Sequence, residues 1–106
     1  MVSIKLYLSA HHSIVIIDLM PQLKMVFRDL LPLVVHWKTI GTLLGVDSAT
    51  FDKIEYEERA INDCLRKMLD EWLKRIDPLP TWAELIDAVK AVDKEKAQGI
   101  GQRIAK

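Results

Sequence analysis

The sequence predicts an all-α fold, an antiparallel bundle of six helices. Apolar residues recur every three or four positions through most of the chain after residue 18. Prolines, glycines and capping residues divide this pattern into short segments. With 106 residues the chain has room for one domain that can bury a core without disulfides or metal. We therefore expect residues 18–106 to form one helical bundle, preceded by an unassigned N-terminal arm of residues 1–17.

The N-terminal arm is the least regular part of the sequence. Apolar and polar residues alternate over residues 4–8, as in a short strand, and residues 14–17 form a β-branched run. The pair His11 and His12 has no Cys, carboxylate or third His at ligand spacing nearby, so we expect no metal site there.

The first two helices are separated by a proline. The helical pattern begins at Asp18, and Pro21 suits a first helical position because its missing N–H is no loss there. Pro32 should end or bend this helix at Leu31. The second helix is expected over residues 33–44.

Two glycines of the second helix have different roles. Gly45 follows the last apolar residue and is a typical stop signal. Gly41 stands inside the helix although glycine costs about 1 kcal/mol there relative to alanine. We expect a neighbouring helix to approach closely at Gly41.

A short third helix lies in an acidic part of the chain. Asp47 or Ser48 can cap it, and its two large apolar residues, Phe51 and Ile54, should face inward. Since acids are unfavourable at a helix C-terminus, we assign the next two glutamates to the start of the fourth helix instead. These glutamates are Glu57 and Glu58.

The fourth helix, over residues 61–76, is the most strongly patterned. One stripe should be apolar and buried; it comprises Ile61, Leu65, Met68, Leu69, Trp72 and Ile76. Cys64 lies beside the stripe, where a buried inert thiol is expected rather than a nucleophile.

The last two helices begin with capping residues. Residues 77–80 form a connector with two prolines, and Thr81 with Glu84 is typical of a capping box. The apolar residues of the fifth helix are Trp82, Leu85, Ile86, Val89 and Val92. Asp93 can cap a sixth helix with Ala97, Ile100 and Ile104 inward; Gly99 and Gly101 should make it prone to fraying.

Composition argues against several classes of function. The net charge is zero, whereas nucleic-acid binders usually carry a basic excess. Residues 33–45 and 48–55 superficially suggest a helix-turn-helix, but Asp52 and Glu55 would repel phosphate, so this alternative is disfavoured. We find no catalytic constellation, phosphate loop or cofactor motif, so we expect no enzyme. The single cysteine and the absence of a convincing signal peptide favour a cytoplasmic protein.

Three motifs resemble one family when taken in order. They are Trp37-x-x-Ile40-Gly41-x-x-Leu44-Gly45, Cys64-Leu65-x-x-Met68-Leu69-x-x-Trp72-Leu73 and Thr81-Trp82-x-x-Leu85-Ile86-x-Ala88-Val89. Together, with the acidic third helix between them, they resemble the death domain, a six-helix module of apoptotic and inflammatory adaptors and receptors. The resemblance covers residues 18–105.

The resemblance implies a Greek-key bundle without catalytic residues, cofactor or metal, which binds other death domains or its own copies. Association would use asymmetric surfaces and continue as an open-ended or layered oligomer. The charge pattern agrees, because residues 47–63 hold six acids against two basic residues. We expect this acidic segment to meet a basic face of a partner. The expected interaction residues are Asp47, Asp52, Lys53, Glu55, Glu57 and Glu58, with Lys24, Arg28, Arg66 and Lys67 on the basic side and Asp77 in the connector.

Overall fold

The computed structural model describes residues 20–105. This part of the chain contains helices and no strand, so the predicted all-α class is confirmed. The expected strand at residues 4–8, the β-branched run and the boundary of the arm lie outside the described residues. The elements are α1 Leu23–Leu30, a 3-10 helix Leu31–His36, α2 Trp37–Leu43, α3 Ser48–Glu57, α4 Ile61–Leu73, α5 Trp82–Lys90 and α6 Lys94–Ala105.

The described residues fall into two compact units. The unit Pro21–Pro80 holds α1 to α4, and within it α4 packs against α1, the 3-10 helix, α2 and α3. The other unit includes α5 and α6, which pack against each other. In the first unit, α4 therefore holds the central position that its strong apolar stripe predicts.

The two helices around Pro32 differ from the prediction. α1 begins at Leu23, because Gln22 is its extended N-cap, with φ −104° and ψ 139°; Pro21 precedes the helix and is not its first residue. Pro32 does interrupt the helix, as expected, but the chain continues as a 3-10 helix in which Leu33 has φ −108° and ψ 20°. Proline lacks an N–H and its ring obstructs a regular α-turn, so α2 starts only at Trp37.

Gly41 inside α2 and Gly45 just after it have the predicted roles. Gly45 has φ +88°, a left-handed conformation in which a side chain would be strained. A Cβ on Gly41 would lie 2.8 Å from Cε1 of Phe51 and 3.0 Å from Cγ of Met68. The absence of a side chain at Gly41 therefore lets α3 and α4 approach α2.

The boundary between α3 and α4 was predicted wrongly. Glu57 is the last residue of α3, and Glu58 is its C-cap, with the Glu58 N–H donating to the Ile54 carbonyl at 2.8 Å. The unfavourable helix dipole costs an exposed acid only about 0.3–1 kcal/mol, too little to end the helix earlier. α4 starts at Ile61 after an extended Ala60.

The C-terminal end of α4 also differs from the prediction. The helix stops at Leu73, where the N–H groups of Lys74 and Arg75 bond to carbonyls three residues back. Ile76 therefore lies beyond the helix and is 80% exposed, and Ile61 at the other end is exposed too. The middle of the stripe is buried as predicted; it comprises Leu65, Met68, Leu69 and Trp72. Cys64, which lies beside the stripe, is buried as well.

Helix caps follow the predicted chemistry. The Thr81 hydroxyl accepts a hydrogen bond from the Glu84 N–H at 3.1 Å, and Asp93 Oδ1 accepts from the Lys96 N–H at 3.0 Å. The predicted inward residues of α6 are buried; they are Ala97, Ile100 and Ile104. In α5, Ala88 is buried where the pattern predicted Ile86, which is half-buried.

Candidate protein-interaction surface

The start of α3 is fixed by an acid of the predicted surface. Asp47 is the N-cap, and its Oδ1 accepts a hydrogen bond from the Thr50 N–H at 2.9 Å. Hydrogen bonding to the Thr50 side chain, and then to the Thr50 backbone N–H, favours the ionised carboxylate and lowers the pKa of Asp47. Asp47 therefore contributes its charge and also sets the position of the helix.

One side of α3 is buried and the other carries the predicted charges. Phe51 and Ile54 point into the unit, and the Phe51 ring packs edge-on against Trp37 with centroids 5.5 Å apart. The opposite side is exposed, and it presents Asp52, Lys53, Tyr56 and Glu57.

The acids of α3 have different surroundings. Glu55 Oε2 lies 2.8 Å from Nζ of Lys38 on α2, so part of its charge is compensated within the unit. Within residues 20–104, no side chain forms an ion pair with Asp52 or Glu57. The uncompensated charge of α3 therefore lies at these two carboxylates and not at Glu55.

The predicted basic residues lie on two helices that pack together. Lys24 and Arg28 are one turn apart on α1 and are exposed. Arg66 of α4 lies over the Phe27 ring of α1, with 5.9 Å between the guanidinium carbon and the ring centroid. The α1–α4 contact thus brings Arg66 close to the exposed side of α1.

This basic side is more mixed in charge than the sequence suggested. A shallow groove is lined by α1, the end of α3 and α4, through Leu23, Glu58, Asp63, Arg66, Lys67 and Asp70. Arg66 Nη2 pairs with Asp63 at 3.3 Å. Glu58, which was assigned to the acidic segment, therefore lies beside the basic Arg66 and Lys67. Lys24 and Arg28 do not line this groove, and neither forms an ion pair within residues 20–104.

The connector after α4 is held by a residue that the sequence did not single out. Arg75 Nε donates to the Pro78 carbonyl at 2.6 Å, and its Nη1 donates to the Leu44 carbonyl at 3.2 Å. Asp77, the predicted interaction residue of the connector, is exposed two positions further on. Arg75 thereby joins the end of α2 to the connector that presents Asp77.

Lys38 and Asp29 were also missed. Lys38 lies 17 positions before its partner Glu55, a separation that no helical spacing indicates. Asp29 is buried although it stands among the charged residues of α1. The helical period could have placed Asp29 on the inner side, because Val26 and Leu30 flank it there.

The described residues contain no group of side chains arranged to bind a metal ion and no exposed cysteine thiol. Among them, no group of three His, Cys, Asp or Glu residues could hold a metal ion. Cys64 is buried; burial and the nearby carboxylates of Glu55 and Glu58 raise the pKa of its thiol. In the same part of the chain, no helix has the length and apolar character needed to cross a membrane.

The fold and this surface define an all-helical module with charged, exposed helix faces, of the kind that binds other proteins. The family model for the death domain matches residues 20–103. The chain belongs to the death-domain family, whose members are homotypic protein-interaction modules. No curated protein and no solved structure matches it significantly.

Proposed function

We propose that this death domain acts in cytoplasmic apoptotic or innate-immune signalling, and that it binds another death domain, or a second copy of itself, through the exposed acids of α3. The observation that carries the proposal is the pair of uncompensated carboxylates on this helix. Asp52 and Glu57 are exposed on a helix whose core residues are on the opposite side. They can therefore meet a basic surface without rearrangement of the fold.

The complementary surface is the exposed side of α1. Lys24 and Arg28 are exposed one turn apart, and neither forms an ion pair within residues 20–104. An acidic α3 face and a basic α1 face on one chain are two different surfaces. Pairing them between copies is heterologous, and repeated pairing gives an open-ended assembly instead of a closed dimer.

The test is a charge exchange between the two faces. Asp52→Lys with Glu57→Lys reverses α3 and leaves the Lys38–Glu55 pair intact. Lys24→Glu with Arg28→Glu reverses α1. Each variant alone should lose self-association, because like charges facing each other cost several kcal/mol. An equimolar mixture of the two variants should recover it.

The measurement is size-exclusion chromatography with light scattering, with and without purified candidate death domains, at low and at physiological salt. Screening over about 8 Å at 0.15 M should weaken the wild-type association. The matched control is Asp87→Lys with Glu95→Lys, which makes the same change in net charge at exposed positions of α5 and α6. If the α3 variant associates like this control, or if the mixture fails to recover, pairing of α3 with α1 is refuted.

A further inference from the structure

Among the large aromatic and aliphatic side chains of the described residues, that of Tyr56 is the most exposed. It is 92% exposed and lies one position before the end of α3, with Glu55 and Glu57 on either side. It shares a helix face with Asp52, one turn earlier. A phenol that neither packs nor closes a hydrogen bond in the described structure is fully available to a second protein.

We propose that Tyr56 is a phosphate-acceptor site for a tyrosine kinase that selects acidic substrates. Four acids lie within four positions of Tyr56, and a kinase with a basic substrate groove would bind such a segment by charge complementarity. In the transfer, the Tyr56 hydroxyl oxygen attacks the γ-phosphorus of Mg-ATP. The bond from that phosphorus to the bridging oxygen breaks, ADP leaves, and the hydroxyl proton passes to the kinase's catalytic base.

The end of α3 can reach a kinase cleft because little holds it. After Ile54, no side chain up to Asn62 is buried, so the last turn of α3 can unwind without uncovering the core. Apart from the backbone bonds of the helices, the contacts of this stretch include the Lys38–Glu55 ion pair and the bond from the Glu58 N–H to the Ile54 carbonyl. The Ala60 carbonyl also accepts from the N–H groups of Asp63 and Cys64, and Cys64 Sγ lies 3.8 Å from the Glu58 carbonyl oxygen. Segments with few buried contacts open locally far more often than the whole domain unfolds.

Phosphorylation would also change the helix that carries it. The phosphate adds a charge of about −1.5 to −2 close to the C-terminus of α3, where negative charge is unfavourable. It would stand next to Glu55 and Glu57, which repel it. If α3 binds partners as proposed above, the modification alters that surface directly; the phosphotransfer itself involves no such partner and can be tested alone.

The experiment uses the full chain, Mg-ATP and the catalytic domain of a tyrosine kinase with a preference for acidic peptides. The chain has a built-in control, because its other tyrosine, Tyr7, precedes the first acid of the sequence, Asp18. Peptide mass spectrometry should locate one phosphate on Tyr56 and none on Tyr7, and Tyr56→Phe should abolish incorporation. Phosphate on Tyr7 with Tyr56 unmodified, or none on either, overturns the proposal.

Two further measurements test the reason for the selectivity. Glu57→Gln with Glu58→Gln leaves the Lys38–Glu55 pair in place and should lower kcat/KM for phosphorylation about tenfold, the equivalent of 1.4 kcal/mol. Amide hydrogens of Tyr56 and Glu57 should exchange much faster than that of Leu69 in α4. An unchanged kcat/KM, or exchange at Tyr56 as slow as at Leu69, contradicts the proposed site.

Discussion

Gly41→Ala should destabilise the protein although alanine is the better helix former. The new Cβ would stand 2.8 and 2.9 Å from two ring atoms of Phe51 and 3.0 Å from Cγ of Met68. Relaxed carbon contacts are about 3.5–4.0 Å, so these groups must move by about half an ångström or more. The Phe51 ring cannot move freely, because it is buried and packs edge-on against Trp37.

Two opposing terms decide the magnitude. Overpacking of this kind costs about 1–3 kcal/mol. The alanine offsets about 1 kcal/mol of that through its better helix propensity. The net loss for Gly41→Ala should therefore be about 1 kcal/mol, within a range of roughly 0–2.

Gly99→Ala is the matched control. Gly99 lies inside α6, and a Cβ there would meet no atom within 4 Å. Gly99→Ala gains the higher helix propensity of alanine without overpacking, so this variant should be more stable than wild type by about 0.5–1 kcal/mol. The difference between the two alanine variants then reports the overpacking alone, about 1–3 kcal/mol.

The assay is urea unfolding followed by tryptophan fluorescence and by circular dichroism, with coincident transitions required of both probes. Phe51→Leu shortens the group that the new Cβ meets, so in that background Gly41→Ala should cost less. Equal stability of the Gly41→Ala and Gly99→Ala proteins would refute the close approach at Gly41.

Three shorter predictions concern the core, a cap and the thiol. Trp72→Ala should cost about 3–5 kcal/mol in urea unfolding; its buried Nε1 has no hydrogen-bond partner in the described structure, so the loss is one of packing. Thr81→Ala should cost about 0.5–2 kcal/mol and Thr81→Ser much less, and equal losses would argue against the cap. Cys64, with its raised thiol pKa, should react with a disulfide reagent at pH 8 far more slowly in the folded than in the urea-unfolded chain; equal rates would contradict its burial.

The sequence predicted best the features that depend on local chemistry. The caps at Asp47, Thr81 and Asp93 and the stop at Gly45 each require one residue type at one short spacing. The middle of the α4 stripe was also predictable, because a helical period needs only its own residues. The helix ends were not, since a period shows which side of a helix is apolar but not where the helix stops.

The end of α4 illustrates what a local pattern cannot contain. Nothing before Pro78 in the sequence prevents another turn, yet the helix ends at Leu73. Arg75 instead donates to the carbonyl of Leu44, an acceptor at the end of α2 that lacks a full set of helical partners, and to the Pro78 carbonyl. Another turn of exposed helix would add little to the stability of the protein. Hydrogen bonds from a charged donor such as Arg75 are among the stronger hydrogen bonds in proteins. The tertiary acceptors therefore decide the boundary.

Which acids of α3 remain uncompensated also depends on a contact between residues far apart in the sequence, the Lys38–Glu55 ion pair. From the sequence, Asp52 and Glu55 are equivalent exposed acids on α3 and would both be chosen for reversal. The structure distinguishes them, because only Glu55 has Lys38 at 2.8 Å. Reversing Glu55 would place a new lysine against Lys38 and disturb the contact of α2 with α3. A loss of binding could then come from the lost acidic charge on the surface or from the disturbed contact between α2 and α3. Reversing Asp52 with Glu57 avoids this ambiguity, so a loss of association in that variant reports on the surface of α3 itself.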